Sequence, residues 1–248
     1  MDTTNIKFIR CLWGDFDEII PEPILDEVVY VWGQENQDKL VSRGFECVLV
    51  SEEKIQYPNH LDKFKHKLDA LKYGVNDFGR VIFLDWDVTM VKPIDDKFYT
   101  YFYGKEFMMP TYSYPVEYMD MSDFYYDLIA NEWVKSQIFD MNMFGWKMDN
   151  NIILPNAGFI YCDGIDVINK LINITDKWEL KTLIEEFAAF IYSNSSLDDY
   201  ILNYEPTVIF GREEDHLFHF GPIMKLPQVP LHEKINGLIK KDIYFIHE

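Results

Sequence analysis

The 248-residue sequence predicts an α/β protein with a doubly wound, Rossmann-like sheet, mostly parallel and flanked by helices. Three observations predict it. Short β-forming runs at 7–12, 28–32, 46–50 and 80–84 alternate with segments of helical spacing. One of them, Val81-Ile82-Phe83-Leu84, is continuously apolar, as a strand buried on both faces of a parallel sheet must be. That run ends directly in Asp85-Trp86-Asp87, which puts two carboxylates where open α/β sheets bind ligands, beyond the carboxyl ends of their strands.

The elements follow in order. The first strand, 7–12, runs out into Trp13-Gly14-Asp15-Phe16, and the second covers 28–32. A short helix over 35–43 should close at Gly44, where left-handed backbone favours glycine. The third strand is 46–50. A helix over 60–73 sets Leu61, Phe64, Leu68 and Leu71 on one face, with Gly74 expected to close it. Lys63 and Lys67 lie four apart and share a face, which is either solvated or, so near an acidic site, helps to hold a diphosphate. Beyond Pro93 the pattern loosens: 111–151 is crowded with Tyr, Met, Trp and Asp and reads as a lid, an acceptor site or a structural subdomain. Regularity returns at Asn156-Ala157-Gly158, a small-residue turn entering the strand Phe159-Ile160-Tyr161-Cys162. Helices are expected over 165–171, 180–192 and 197–204, and 242–248 reads as a strand that stops on a histidine. With no repeat, low-complexity run or linker in the sequence, residues 1–248 read as one domain.

Composition narrows the function classes. Hydrophobic residues at 48% and charged residues at 26% are ordinary for a folded domain and argue against disorder. The 17% aromatic share leaves room for surfaces that stack on sugars or bases. A formal charge of -19 repels a nucleic-acid backbone, and the longest Lys/Arg cluster is only Lys240-Lys241, so no nucleic-acid partner is expected. Cys11, Cys47 and Cys162 lie in or beside apolar runs without metal-ligand spacing and read as small core residues in a reducing compartment. The polar start Met1-Asp2-Thr3-Thr4-Asn5 lacks the blocks of a signal peptide, and no apolar run approaches the length of a membrane span. The expectation is therefore a soluble, cytoplasmic protein, with the Asn-x-Ser/Thr triplets at Asn173 and Asn194 chance matches.

Two carboxylates one residue apart repel unless a counter-charge lies between them, and a divalent cation is the usual one. Carboxylate oxygens at a strand end suit Mn²⁺ or Mg²⁺, hard ions that keep positions open for water and substrate phosphates. Asp85 and Asp87 are thus candidate metal ligands; the bland alternative is a pair of solvated aspartates in a strand-end turn.

Three pieces together resemble one enzyme group. Phe83-Leu84-Asp85-Trp86-Asp87-Val88 is similar to the metal-binding Asp-x-Asp of sugar-nucleotide-dependent glycosyltransferases of the GT-A fold. Asn156-Ala157-Gly158 before an apolar strand resembles the Asn-Ala-Gly that lines the donor-sugar pocket in glycosyltransferase family 8. Asp198-Asp199-Tyr200-Ile201-Leu202-Asn203 resembles that family's Asp-Gln-Asp-Ile-Leu-Asn segment, which faces the reacting sugar. Their order and rough spacing match over most of the chain. Asp199 stands where the family has Gln and Tyr200 where it has Asp, and the closing His-x-x-Gly-x-x-Lys-Pro-Trp is absent, so the likeness is to a relative within the fold.

The resemblance implies a metal-dependent transfer of a sugar from a nucleoside-diphosphate sugar, in that family UDP-linked and with retention, to a glycan or other hydroxyl acceptor. The donor would meet Asp15 and Phe16 (the base), Lys67, Asp85, Trp86, Asn156, Ala157 and Gly158. Asn156 offers amide donors and a carbonyl acceptor to sugar hydroxyls, and Gly158 lets the ligand approach the backbone. The bland alternatives are a turn cap at Asn156 and relief of crowding at Gly158. Asp198 or Asp199 would stabilise the reacting carbon or bind hydroxyls, unless Asp198 is only a helix N-cap. GT-A enzymes often add a histidine metal ligand from a late strand; His247 fits that order better than His219.

Two rivals stand beside this reading. Asp85-Trp86-Asp87-Val88-Thr89 also satisfies the Asp-x-Asp-x-Thr signature of haloacid-dehalogenase-type phosphatases, with Asp85 as nucleophile, although three strands precede it here and that family carries it early. The other is a non-catalytic carbohydrate-binding protein.

Overall fold

In the computed structural model of the chain the described residues are 5–14, 22–23, 26–54, 65–109, 111–115, 147–148, 151–155, 157–177, 185, 188, 218–220 and 244–247; of these, 111–115, 147–148, 151–155, 177, 218–220 and 246–247 are described by backbone alone. The strands are β1 (Lys7–Leu12), β2 (Glu27–Trp32), β3 (Glu46–Ser51), β4 (Arg80–Leu84), β5 (Val88–Met90), β6 (Phe107–Met108), β7 (Thr111–Pro115), β8 (Lys147–Met148), β9 (Asn151–Pro155), β10 (Phe159–Asp163), β11 (Phe218–Phe220) and β12 (Phe245–His247). The helices are α1 (Gln34–Val41), α2 (Lys65–Phe78), α3 (Asp96–Thr100) and α4 (Ile165–Lys177), with further helical positions at Glu185 and Ala188.

The main sheet has the order β3-β2-β1-β4-β10-β6. Strands β3, β2, β1 and β4 are mutually parallel, and β10 runs antiparallel to both β4 and β6. The expected α/β class and mostly parallel sheet are therefore present. The chain steps from β1 outward to β2 and β3, then returns through α2 to lay β4 on the opposite side of β1. That reversal makes a crevice at the carboxyl ends of β1 and β4, the position where open α/β sheets take their ligands.

Alternation along β1 sends Ile9 and Cys11 to one face and Phe8, Arg10 and Leu12 to the other. Ile9 and Cys11 share a core with Leu68, Leu71 and Val75 of α2 and Val167, Ile168 and Leu171 of α4. On the opposite face Phe8, Ile82 and Leu84 pack with Phe98 and Phe102 of the α3 region and with Phe245 of β12. Leu12, Val29 and Val31 meet Leu40 of α1 there as well. Helices thus cover both faces, as the continuous apolar run of β4 requires.

Two small sheets complete the description, β11-β12-β5 and β7-β9-β8. The second draws on 111–151, where the sequence shows no clean period, and on the residues up to Pro155; its strands pair antiparallel around β9. The last strand does stop on His247, in register with Val88 of β5.

The helix after β2 closes as expected, with Gly44 at φ 90. The next helix does not. Gly74 was expected to end it, yet α2 runs on to Phe78 and Gly79, at φ 79, follows its last turn. Gly74 instead marks a close approach: a Cβ there would meet Ile9 Cδ1 at 2.7 Å and Val81 Cγ1 at 3.2 Å. α4 also outlasts its expectation, reaching Lys177. The expected helix over 197–204 lies outside the described residues.

Candidate active site

The turn Asp85-Trp86-Asp87-Val88 stands at the carboxyl end of β4, in the crevice beside β1. It closes through Val88 N donating to Asp85 O at 3.1 Å, and its parts differ in depth. Asp85 and Trp86 are partly buried, Asp87 is exposed and Val88 is fully buried.

From the α2 face, Lys67 Nζ lies 2.6 Å from Asp85 Oδ2 and 3.0 Å from Glu185 Oε1. Lys67 and Glu185 are buried, so Lys67 does not stand on a solvated face; Lys63 lies outside the described residues. Burial works against the ammonium charge, but Asp85 and Glu185 outweigh it and hold Lys67 protonated, its pKa raised above the usual lysine range. Burial likewise lifts the carboxyl of Glu185, against the pull of Lys67. Glu185 Oε2 accepts no hydrogen bond among the described residues. The Cys11 thiol sits in the same environment, pushed up by burial and then by Asp85.

From the opposite face comes Arg10, which the sequence reading passed over. Its Nη1 donates to Asp85 O, its Nη2 to Val88 O at 3.3 Å, and its Nε to Glu27 Oε1 at 2.8 Å. Arg10 and Glu27 are almost wholly buried, and the guanidinium lies 5.3 Å from the centroid of the Trp86 ring. Trp86 Nε1 in turn donates to Cys11 O at 2.7 Å. The signal was an arginine inside the otherwise apolar Phe8-Ile9-Arg10-Cys11-Leu12, because a charge within a buried strand must have a partner.

The Asn156-Ala157-Gly158 turn meets this site through the backbone: Asp85 N donates to Gly158 O at 2.9 Å, next to the pairing of Phe159 with Leu84. Ala157 is buried. Asn156, Asp15, Phe16, Asp198 and Asp199 lie outside the described residues. His247 is described by its backbone, which pairs with Val88 one residue past Asp87; His219 pairs with Ile246, one strand farther from β5.

These residues fit a hard divalent ion in part. Asp87 is an exposed carboxylate at a strand-end turn, and Asp85 has given one oxygen to Lys67 and keeps the other. Among the described residues no cluster of three His, Cys, Asp or Glu side chains forms a complete metal site. A further ligand would have to come from an element such as the end of β12.

No protein-family model matches the sequence, and no curated protein does either. Among solved structures the chain is similar to a glycosyltransferase involved in the glycosylation of the major capsid of PBCV-1, at 12% identity and a TM-score of 0.41 over 89% of this chain and 91% of that one. It is also similar to mouse xyloside xylosyltransferase 1 in its apo form, at 9% identity and a TM-score of 0.43 over 98% of this chain and 97% of that one. Neither likeness says what this chain acts on. No helix among the described residues is long and apolar enough to cross a membrane.

Proposed function

We propose that the chain is a glycosyltransferase that moves a sugar from a nucleoside-diphosphate sugar, of the UDP type, to a glycan or other hydroxyl acceptor, with Mn²⁺ or Mg²⁺ as cofactor. The observation that carries the reading is the Asp85–Asp87 turn at the switch between β1 and β4, hydrogen-bonded through Asp85 N to the Gly158 turn. This joins the metal-type and sugar-type motifs, 71 residues apart from Asp85 to Asn156 in sequence, at one sheet edge.

A bound divalent ion supplies positive charge to the departing diphosphate. Asp87, exposed at the turn tip, is its principal protein ligand, and Asp85 contributes its remaining oxygen. Lys67 neutralises the other Asp85 oxygen, which limits the repulsion between the two carboxylates and keeps the first one oriented. In this reading Asn156, Ala157 and Gly158 bind the sugar, Asp15 and Phe16 the base, and Asp198 or Asp199 stabilises charge at the anomeric carbon, with retention. His247 completes the metal site; its pairing with Val88 supports it over His219.

The test is thermal unfolding with UDP, GDP and CDP, each with and without Mn²⁺, followed by transfer from the stabilising nucleotide's sugars. A rise in Tm that needs both UDP and Mn²⁺ is expected, because a ligand that binds only the native state stabilises it. Asp87→Ala should abolish both that rise and transfer while the free protein stays as stable or gains, since one of two crowded carboxylates is gone. Phosphate release from an aryl phosphate, lost in Asp85→Asn, would instead make the protein a phosphatase.

A further inference from the structure

We propose that Arg10 is a positioning residue for the metal and diphosphate site, and that Glu27 is its buried counter-ion. The inference rests on the metal-dependent reading above and adds to it the element that fixes the metal-binding turn.

One guanidinium reaches both ends of the turn. Nη1 donates to the carbonyl of its first residue, Asp85, and Nη2 to the carbonyl of its last, Val88. The same group lies against Trp86, whose indole N–H is bonded to β1 through Cys11 O. Asp85 O already accepts from Val88 N, so the Arg10 contact falls on the hydrogen bond that closes the turn. Asp87 lies within this braced turn and is exposed.

A carboxylate ligand held this way has its distance and angle set before the ion arrives, which is how outer groups tune metal affinity. Arginine is required for geometric reasons: its planar fork makes two carbonyl contacts and one carboxylate contact at once, which a single lysine ammonium at the end of a flexible stem cannot reproduce. Glu27 fills the third direction. With both side chains buried, the pair contributes little net stability over an apolar pair of similar volume. A buried pair at this spot is therefore better explained by what it holds than by stability alone.

The experiment compares wild type, Arg10→Lys and the double variant Arg10→Met/Glu27→Leu by two readouts, thermal unfolding and a Mn²⁺ titration in the presence of UDP, followed by the electron paramagnetic resonance of the free ion. The double variant should unfold near the wild-type temperature, because apolar side chains replace both charges. It should still bind Mn²⁺ about tenfold or more weakly. Arg10→Lys keeps a charge opposite Glu27 and should fold, with a comparable loss of Mn²⁺ affinity. A folded variant of either kind that binds Mn²⁺ as wild type does would reduce the pair to a structural role and overturn the proposal. Failure of both variants to fold would do the same. If wild type binds no Mn²⁺ with UDP, the metal-dependent reading falls and this inference with it, an outcome distinct from wild-type binding that survives the substitutions.

Discussion

Strand β5 is bracketed by two groups of the same composition at different depths. Before it, Arg10, Glu27 and Trp86 form a cation, carboxylate and aromatic set around the Asp85–Val88 turn. After it, Lys92, Asp95 and Tyr244 form another: Tyr244 O–H donates to Asp95 Oδ1 at 2.6 Å, and Lys92 Nζ lies 4.3 Å from the Tyr244 ring centroid. The first ion pair is 2.8 Å long with side chains 1% and 0% exposed, the second 3.6 Å with side chains 17% and 48% exposed. Breaking the outer set returns its charges to water. Breaking the inner one leaves a charge in the core. Like chemistry at unlike depth thus separates a group that ties the loop after β5 to the residue before β12 from one that fixes the geometry of a site.

The largest effect should follow Glu27→Ala. It leaves the buried Arg10 guanidinium without its counter-ion, and such losses run to about 3–5 kcal/mol. Urea unfolding measures it; a loss below about 1 kcal/mol would place the inner pair with surface pairs in energy. Lys67→Met comes next. It leaves Glu185 buried without the cation 3.0 Å away, but Glu185, its carboxyl already lifted by burial, can take up a proton and soften the loss. Its destabilisation should be clear and smaller than that of Glu27→Ala in the same urea series.

The outer set is the place to look for pH dependence. Hydrogen bonding from Tyr244 holds the Asp95 carboxyl below its ordinary 3.8, so that contribution is present above 3.8 and lost as pH falls through the lower folded value. Burial, and then the bond to Asp95, pushes the Tyr244 phenol up to about 12 from 10.0, so its contribution is fully present below 10.0 and lost as pH rises towards about 12. Tyr244→Phe should cost about 1 kcal/mol or less at neutral pH, remove the alkaline limb of Tm against pH and shrink the acid limb, which Phe98 N–H and Lys92 still support. An unchanged alkaline limb would assign it to another group. The smallest effect concerns thiols. Cys11 and Cys162, buried and raised in pKa by that burial, should resist an aromatic disulfide reagent in the native state, while half-buried Cys47, pushed up to about 11, should react slowly and first.

What the sequence made legible follows from which forces act locally. The four parallel strands were readable because β4 must be apolar on both faces and because Gly44 marks a helix end by backbone conformation alone. The helix limits at Gly74 were misread for a tertiary reason: a glycine that ends a helix and one that lets a helix approach a sheet look identical in one dimension. The Asp85–Asp87 turn could be singled out because charge directly after a buried strand is costly unless used. Lys67 was noticed, but its burial between two carboxylates depends on Glu185, 118 residues away, and no periodicity links them. Arg10 was visible only as an anomaly within β1; its four contacts come from β2 and from the turn after β4, some 75 residues on.

Gly74 has a consequence for the site that its own surroundings do not suggest. Lys67 stands seven residues earlier on α2, about two turns or roughly 10 Å along the axis and on the same face. A Cβ on Gly74 would force Ile9 Cδ1 and Val81 Cγ1 to give way, so Gly74 works as a fulcrum, and the stretch back to Lys67 is the lever arm. A methyl group added there would tilt that arm off the sheet, with the greatest travel at the ammonium 2.6 Å from Asp85. The spacing between helix and sheet is therefore one of the things that sets how near the Lys67 ammonium stands to the first aspartate, fixed by the smallest side chain in the helix two turns away.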